Sequence, residues 1–168
     1  NRIKQSIASA FADYSIELGQ FNLTAGLRYE YQKTDYYESD IYKEEKSPSY
    51  HDLIPIVSIF YKKEDWNIGL SYRMMKLNPS YSMLSSTISY QSKYQYHNGN
   101  PELEPQKHNA FSLEGGWKWI NASLYFDHAR NMYTTYAKPY DDAKHPGVVL
   151  WTMASIPNSY ACLLYTSD

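Results

Sequence analysis

The chain has a single cysteine, Cys162, so neither a disulfide framework nor a cysteine-rich metal cluster can hold it together. Mean hydropathy is negative, and no run approaches the ~18 to 20 apolar residues of a membrane-spanning helix, which excludes a helical membrane protein. Basic excess is missing too: 16 Lys and Arg stand against 18 Asp and Glu, with no cationic cluster on one face, which argues against a nucleic-acid partner. The start, Asn1-Arg2-Ile3-Lys4-Gln5, lacks the charged, apolar, then small pattern of a signal peptide, so the expectation is a processed chain or an internal piece. What the chain has in excess is tyrosine, 19 in 168 residues, a side chain that favours strands, membrane interfaces and recognition surfaces.

The hydrophobic pattern has a period of two. From Phe21 to Gln32, the residues Phe21, Leu23, Ala25, Leu27, Tyr29 and Tyr31 alternate with Asn22, Thr24, Gly26, Arg28, Glu30 and Gln32. Trp66, Ile68, Leu70, Tyr72 and Met74 alternate in the same way with Asn67, Gly69, Ser71 and Arg73. Such stretches come in three pairs. The first is Gln5 to Leu18 and Phe21 to Tyr36, turning at Gly19-Gln20, with Ala8, Ala10, Ala12, Tyr14 and Ile16 as the apolar set of its first member. The second is Asp52 to Tyr61 and Trp66 to Met75, turning at Lys62-Lys63-Glu64-Asp65, and the third is His108 to Trp117 and Ile120 to Ala129, turning at Lys118-Trp119. A seventh stretch lies near Val148 to Ala154. Residues Leu53 to Phe60 are apolar at both parities, so their outer side is not assigned by pattern, and their inner side is expected to pack against something inside.

Between the pairs lie long polar loops, Asp35 to Tyr50, Met75 to Lys107 and Arg130 to Gly147. Short turns at one end and long loops at the other are the signature of a transmembrane β-barrel, and each stretch reaches the ~9 to 11 residues that a tilted strand needs to cross a bilayer. Phe21, Trp66 and Trp117 sit at the short-turn ends, while Tyr29, Tyr31 and Tyr72 sit toward the loops at the same parity. Two aromatic belts flanking an apolar band suit rings that are most stable where hydrocarbon meets headgroups. The fold class read from this is all-β, an antiparallel up-and-down meander that forms part of a large transmembrane barrel. Residues 1–160 supply about six full strands and part of a seventh.

Three segments carry a family resemblance. Gly99-Asn100-Pro101-Glu102-Leu103-Glu104-Pro105-Gln106 resembles the "GNPxLxPE/Q" segment of TonB-dependent receptor barrels. Leu70-Ser71-Tyr72-Arg73-Met74-Met75 with Asn78-Pro79-Ser80-Tyr81 is similar to the "LSYSRRxNRPSY" stretch of the outer-membrane β-barrel family of Bacteroides-type bacteria, and Thr24-Ala25-Gly26-Leu27-Arg28-Tyr29-Glu30 to its "TAGLRYE" strand. The resemblance spans roughly residues 8–133. Met74 stands where the family has a second arginine, so no role that depends on that arginine is carried over. The resemblance implies a C-terminal part of a barrel of roughly 22 strands around a plug, set in the outer membrane of a Gram-negative bacterium. It also implies nutrient import driven through the TonB complex. The expected partners are outer-membrane lipid, the rest of the barrel and plug, TonB through the plug, and a surface lipoprotein. The end, Ala161 to Asp168, breaks the pattern of the seventh strand and resembles a translated adapter sequence, so it is expected to be foreign to the fold.

Tyr81, Tyr90, Tyr94 and Tyr96 are the candidate ligand-contacting residues, because exposed loops carry recognition and aromatic faces suit sugars, siderophores and other amphipathic solutes. Packing of those rings against neighbouring loops is the competing reading. Gly99, Asn100, Pro101, Glu104 and Pro105 are read as structural, capping a loop and starting a strand. His51, His97, His108, His128 and His145 show no ligand spacing with one another or with Cys162, so no metal and no cofactor is expected. Asp13, Glu17, Arg28, Glu30, Arg73, Glu114 and Asp127 fall on polar strand faces, as the lining of a wet lumen does, and no catalytic role is assigned. The N-glycosylation patterns at Asn22 and Asn121 lie inside strands and are read as accidental. Three rivals stay open: a passive porin or adhesin barrel, a soluble secreted β-sandwich that binds carbohydrate, and a glycosidase, which would need two converging carboxylates.

Overall fold

A computed structural model describes residues 2–141 and 145–167. In chain order the elements are β1 (Arg2–Leu18), β2 (Phe21–Glu38), β3 (Ile41–Tyr42), a 3-10 turn (Glu44–Lys46), β4 (Ser49–Lys63) and β5 (Trp66–Leu77). They continue with α1 (Tyr81–Leu84), β6 (Ser89–Ser92), β7 (Gln95–His97), β8 (Gln106–Trp117), β9 (Ile120–Asp141) and β10 (His145–Ser167). All strands belong to one sheet in the order β1-β2-β4-β5-β8-β9-β10-β7-β6, with β3 as a short addition to β2. The seven long strands form the expected antiparallel meander. The departure from it is β7, which pairs in parallel with β10.

Register explains why the alternation survives across the sheet. Leu27 faces Ala12 on one side and Pro55 on the other, Leu70 faces Ile59 and Leu113, and Leu124 faces Leu113 and Leu164. Odd positions of β2 therefore align with even positions of β1 and odd positions of β4. The strand with two apolar faces is thereby assigned: Leu53, Pro55, Val57, Ile59 and Tyr61 join the apolar face, and Ile54, Ile56, Ser58 and Phe60 join the wet one. Phe60 lies over Gly69, its register partner, where a Cβ would come within 3.2 Å of the ring.

Among the described residues no second layer covers the apolar face. Leu27, Ile68 and Leu124 are 50%, 51% and 39% exposed, so a two-sheet sandwich with a dry core is not the architecture. The belts are in place: Trp66 stacks on Trp117 at 5.5 Å and Phe21 meets Tyr61 at 4.7 Å near the turns, while Tyr72 meets Phe111 and Tyr31 meets His51 toward the loops.

Each of the three turns within the paired long strands is two residues long, and its first residue has positive φ: Gly19 at 62°, Glu64 at 46° and Lys118 at 53°. The four-residue turn expected at Lys62 to Asp65 is thus Glu64-Asp65, because Lys62 and Lys63 pair with Asn67 and Trp66. Neighbouring turns are stapled together, with Lys62 N–H donating to the Gln20 carbonyl at 3.0 Å and Lys118 N–H to the Asp65 carbonyl at 2.9 Å.

At the other end the strands run further than their patterns suggest. The expected loop from Arg130 to Gly147 is mostly sheet: β9 continues to Asp141, paired with β10, although its ladder with β8 ends at Lys107↔Arg130. The seventh strand is full length rather than partial. Its alternation fails because the upper part of β10 lies between β9 and β7, outside the apolar band, so no solvent boundary imposes a period there. Residues 161–167, expected to lie outside the fold, continue β10 opposite Asp127 to Asn121. Leu164 joins the apolar face beside Leu124, while Leu163 stands exposed at the wet parity.

Candidate functional site

The connection from β5 to β8 carries α1, the β6–β7 hairpin and the Gly99 segment, and it folds back over the upper wet face of β1, β2 and β4. Pro79, Leu84, Pro101, Leu103 and Pro105 of the connection meet Gln5, Gln32, Thr34, Pro48 and Tyr50 of the wall around a narrow crevice. Leu84, Leu103 and Met153 form the dry cluster, joined by Ile3, Met83 and Tyr133. Beneath them Tyr36 and Gln32 are fully buried, and the Tyr36 hydroxyl bonds that of Ser86 at 2.8 Å.

The Gly99 segment holds this arrangement. Gly99 N–H donates to the Ser85 carbonyl at 2.7 Å and Asn100 N–H to the Met83 carbonyl at 2.6 Å. A Cβ on Gly99 would lie 2.2 Å from the Met83 oxygen, so only glycine lets the two backbones approach this closely. The Asn100 side chain accepts from Glu102 N–H at 2.9 Å and donates to the Met153 carbonyl at 3.3 Å, tying the segment to β10. Glu104 accepts from the Asn131 amide at 2.9 Å. Tyr133 closes the neck: its hydroxyl accepts from Gln106 N–H at 3.2 Å and lies within donating distance of the Glu104 and Leu77 carbonyls, at 2.9 and 3.1 Å.

Charge closes it a second time. Lys76, just before the connection, and Lys107, just after it, are register partners, and both ammonium groups reach Asp52 on β4. Lys76 also binds Glu30 at 3.0 Å, and Glu30 binds Arg28 at 2.8 Å. By alternation Lys76 belongs to the outward parity, yet its side chain is 2% exposed. The ladder between β4 and β5 ends at Ile56↔Arg73, and the unpaired stretch above it gives the lysine room to turn inward. Two buried carboxylates facing three cations form a compensated network, as burial of charge requires. The pattern of the sequence placed Arg28 and Glu30 on the wet face but gave no sign of Lys76, Lys107 or Asp52. The only available signal was a pair of lysines flanking the loop.

Of the four candidate tyrosines, three stand on the β6–β7 hairpin. Tyr90 meets Tyr96 at 6.0 Å, Tyr96 meets Tyr140 edge-on at 4.9 Å, and Tyr140 meets His145 at 5.7 Å. Tyr94 is exposed with Lys93 over its ring at 5.4 Å. Tyr81 is exposed on α1, and no ring contact joins it to the others among the described residues. Tyr140 and His145 extend the row, and neither was a candidate for ligand contact from the sequence, since both fall in a stretch whose pattern reads as loop. On the wet wall, His108 pairs with Asp127 at 2.8 Å. Among the described residues no three His, Cys, Asp or Glu side chains group closely enough to hold a metal.

A one-layer sheet with an exposed apolar face, a wet face and a loop folded over it is the arrangement of a membrane barrel wall, and the model of the outer membrane protein beta-barrel family matches residues 2–164. The chain belongs to that family. This outer-membrane barrel protein is therefore placed in the outer membrane of a Gram-negative bacterium. Among solved structures it is similar to a double mutant of the Serratia marcescens hemophore receptor HasR, solved with its hemophore HasA and heme. The TM-score is 0.68 and the identity 13%, over 96% of this chain and 31% of that one. It is similar also to the siderophore receptor PirA of Pseudomonas aeruginosa, with a TM-score of 0.60 and 9% identity over 98% of this chain and 39% of that one. A mutant of the ferric enterobactin receptor PfeA from the same organism, bound to enterobactin, gives 0.57 and 12% over 98% and 33%. At these identities the likeness is one of fold. The barrel protein spans about a third of the length of these receptors. No curated protein matches its sequence.

Proposed function

We propose that this barrel protein is part of a TonB-dependent receptor-transporter that captures a nutrient such as a glycan, peptide or siderophore and imports it. The observation that carries the reading is the row of rings Tyr90, Tyr96, Tyr140 and His145 at the loop end, with exposed Tyr94 beside it, on a hairpin fixed to β10. Rigidly mounted aromatic faces give a capture surface at low entropic cost. The structural likeness to receptors that bind heme carriers or siderophores supports the same reading at the level of fold.

A plug is the second part of the proposal. Ile56 and Phe60 lie on the wet face and remain 46% and 41% exposed, an apolar spot where a water-filled lumen has no use for one. A plug packed there would cover them and would carry the TonB contact, while a surface lipoprotein would close over the hairpin. The protein acts by binding and passage, without a catalytic step of its own. In this reading residues 1–160 are barrel and 161–168 are foreign to it.

The test is uptake by cells carrying the full-length protein, with and without a functional TonB, for labelled oligosaccharides, peptides and ferric siderophores. TonB-dependent uptake of one class that falls when Tyr90 and Tyr94 are changed to Ala is the expected result. Uptake indifferent to TonB would establish the passive-pore reading instead.

A further inference from the structure

We propose that the outward face of β5, β8, β9 and β10 carries a binding site for a single lipid of the outer leaflet with a phosphate-bearing headgroup. A pocket of about 300 Å³ opens on that face, lined by Met74, Phe111, Phe126 and Tyr160 as its apolar floor and by Asn109, His128, Lys107 and Arg130 as its polar rim. Among the described residues no acidic side chain lines it. Its parity is that of Leu70, Leu113 and Leu124, so it faces the bilayer and not the lumen.

Height decides what can enter. Lys107 and Arg130 are register partners, and they stand eleven residues along their strands from the turn at Lys118-Trp119. A tilted strand crosses the hydrocarbon in ~9 to 11 residues, so these cations lie where headgroups begin and the rings lie in the acyl region below. The Lys107 ammonium is already held by Asp52. Arg130 is exposed and has no ion-pair partner among the described residues, which leaves its guanidinium for an anion, and arginine binds phosphate through two parallel N–H bonds. The surroundings add polar groups: the Tyr72 hydroxyl donates to Asn109 Oδ1 at 2.9 Å, which leaves the side-chain N–H groups of Asn109 to donate elsewhere. His128 is fixed by stacking on Tyr160 at 4.6 Å and by a 3.1 Å contact with Asn158. A charged head over an aromatic floor matches an anionic lipid and mismatches both a free anion, which has no use for the floor, and a zwitterionic headgroup, which brings its own cation. The site stands on the outer-membrane placement alone and does not depend on transport.

The test is native mass spectrometry of the full-length protein in detergent, with bis-phosphorylated lipid A as probe. The expected result is one retained lipid per protein. Arg130→Gln should retain roughly tenfold less, the loss of one charge-assisted phosphate contact. Arg130→Lys should restore part of it, and Arg73→Gln on the wet face should change nothing. Heat-dependent gel mobility checks that each variant is a folded barrel. Equal retention by folded Arg130→Gln would overturn the proposal. So would equal retention of a phosphate-free lipid A by the unchanged protein, a result that needs no variant, or displacement of the lipid by inorganic phosphate alone.

Discussion

The same chain obeys opposite burial rules at its two ends. Near the turns, Leu27, Ile68 and Trp66 point away from the sheet with nothing over them, and the polar side chains line the other face. Near the loops, Leu84, Leu103 and Met153 are buried against one another and against Tyr133, as in a soluble core. The solvent accounts for the difference. Hydrocarbon outside the lower band removes any gain from hiding apolar groups, whereas water around the crown restores it. Alternation therefore marks where lipid is, and its disappearance marks where lipid ends.

Substitutions can break that contrast from either side. The largest effect is expected at Asp52, where Asp52→Asn leaves the buried Lys76 ammonium with Glu30 as its remaining carboxylate and should cost about 3 to 5 kcal/mol. Guanidinium unfolding of the purified full-length barrel measures it, and limited proteolysis between 78 and 105 should quicken at the same time. In the lower band, Leu70→Arg places a charge in hydrocarbon at a cost of about 2 to 4 kcal/mol and should reduce the yield of inserted barrel. Ser71→Arg, one residue on and facing water, should insert normally, and equal failure of both would mean that the parity is wrong. In the crown, Gly99→Ala forces apart two backbones in contact and should cost about 1 to 3 kcal/mol, read as faster cleavage of the connection with the band unaffected. The smallest effect has the other sign. Lys118 holds φ of 53° in its turn, so Lys118→Gly should stabilise the barrel by about 1 kcal/mol in the same unfolding assay.

Legibility in the sequence followed the same division. The three hairpins, their parity and both aromatic belts could be read because lipid on one side and water on the other impose a period of two on β1, β2, β5 and the lower part of β9. The strand from Leu53 to Phe60 resisted because the wet side is apolar there too, and register against β2 was needed to assign it. The upper parts of β9 and β10 resisted for another reason. Lys138 and Pro139 look like loop residues, and only pairing with Leu150 and Val149 makes them strand. The network around Asp52 joins residues from four strands, and its lysines sit at a parity that alternation assigns to the other face, so no local pattern could have announced it.

Lys76 and Lys107 lie at the two ends of one long connection and share one carboxylate. Tension on either end is thus felt at both, and the connection cannot peel from one stem while the other stays fastened. Anything that competes for Asp52 therefore loosens both stems together, and what then holds the connection is Glu30 on Lys76 and the Tyr133 neck.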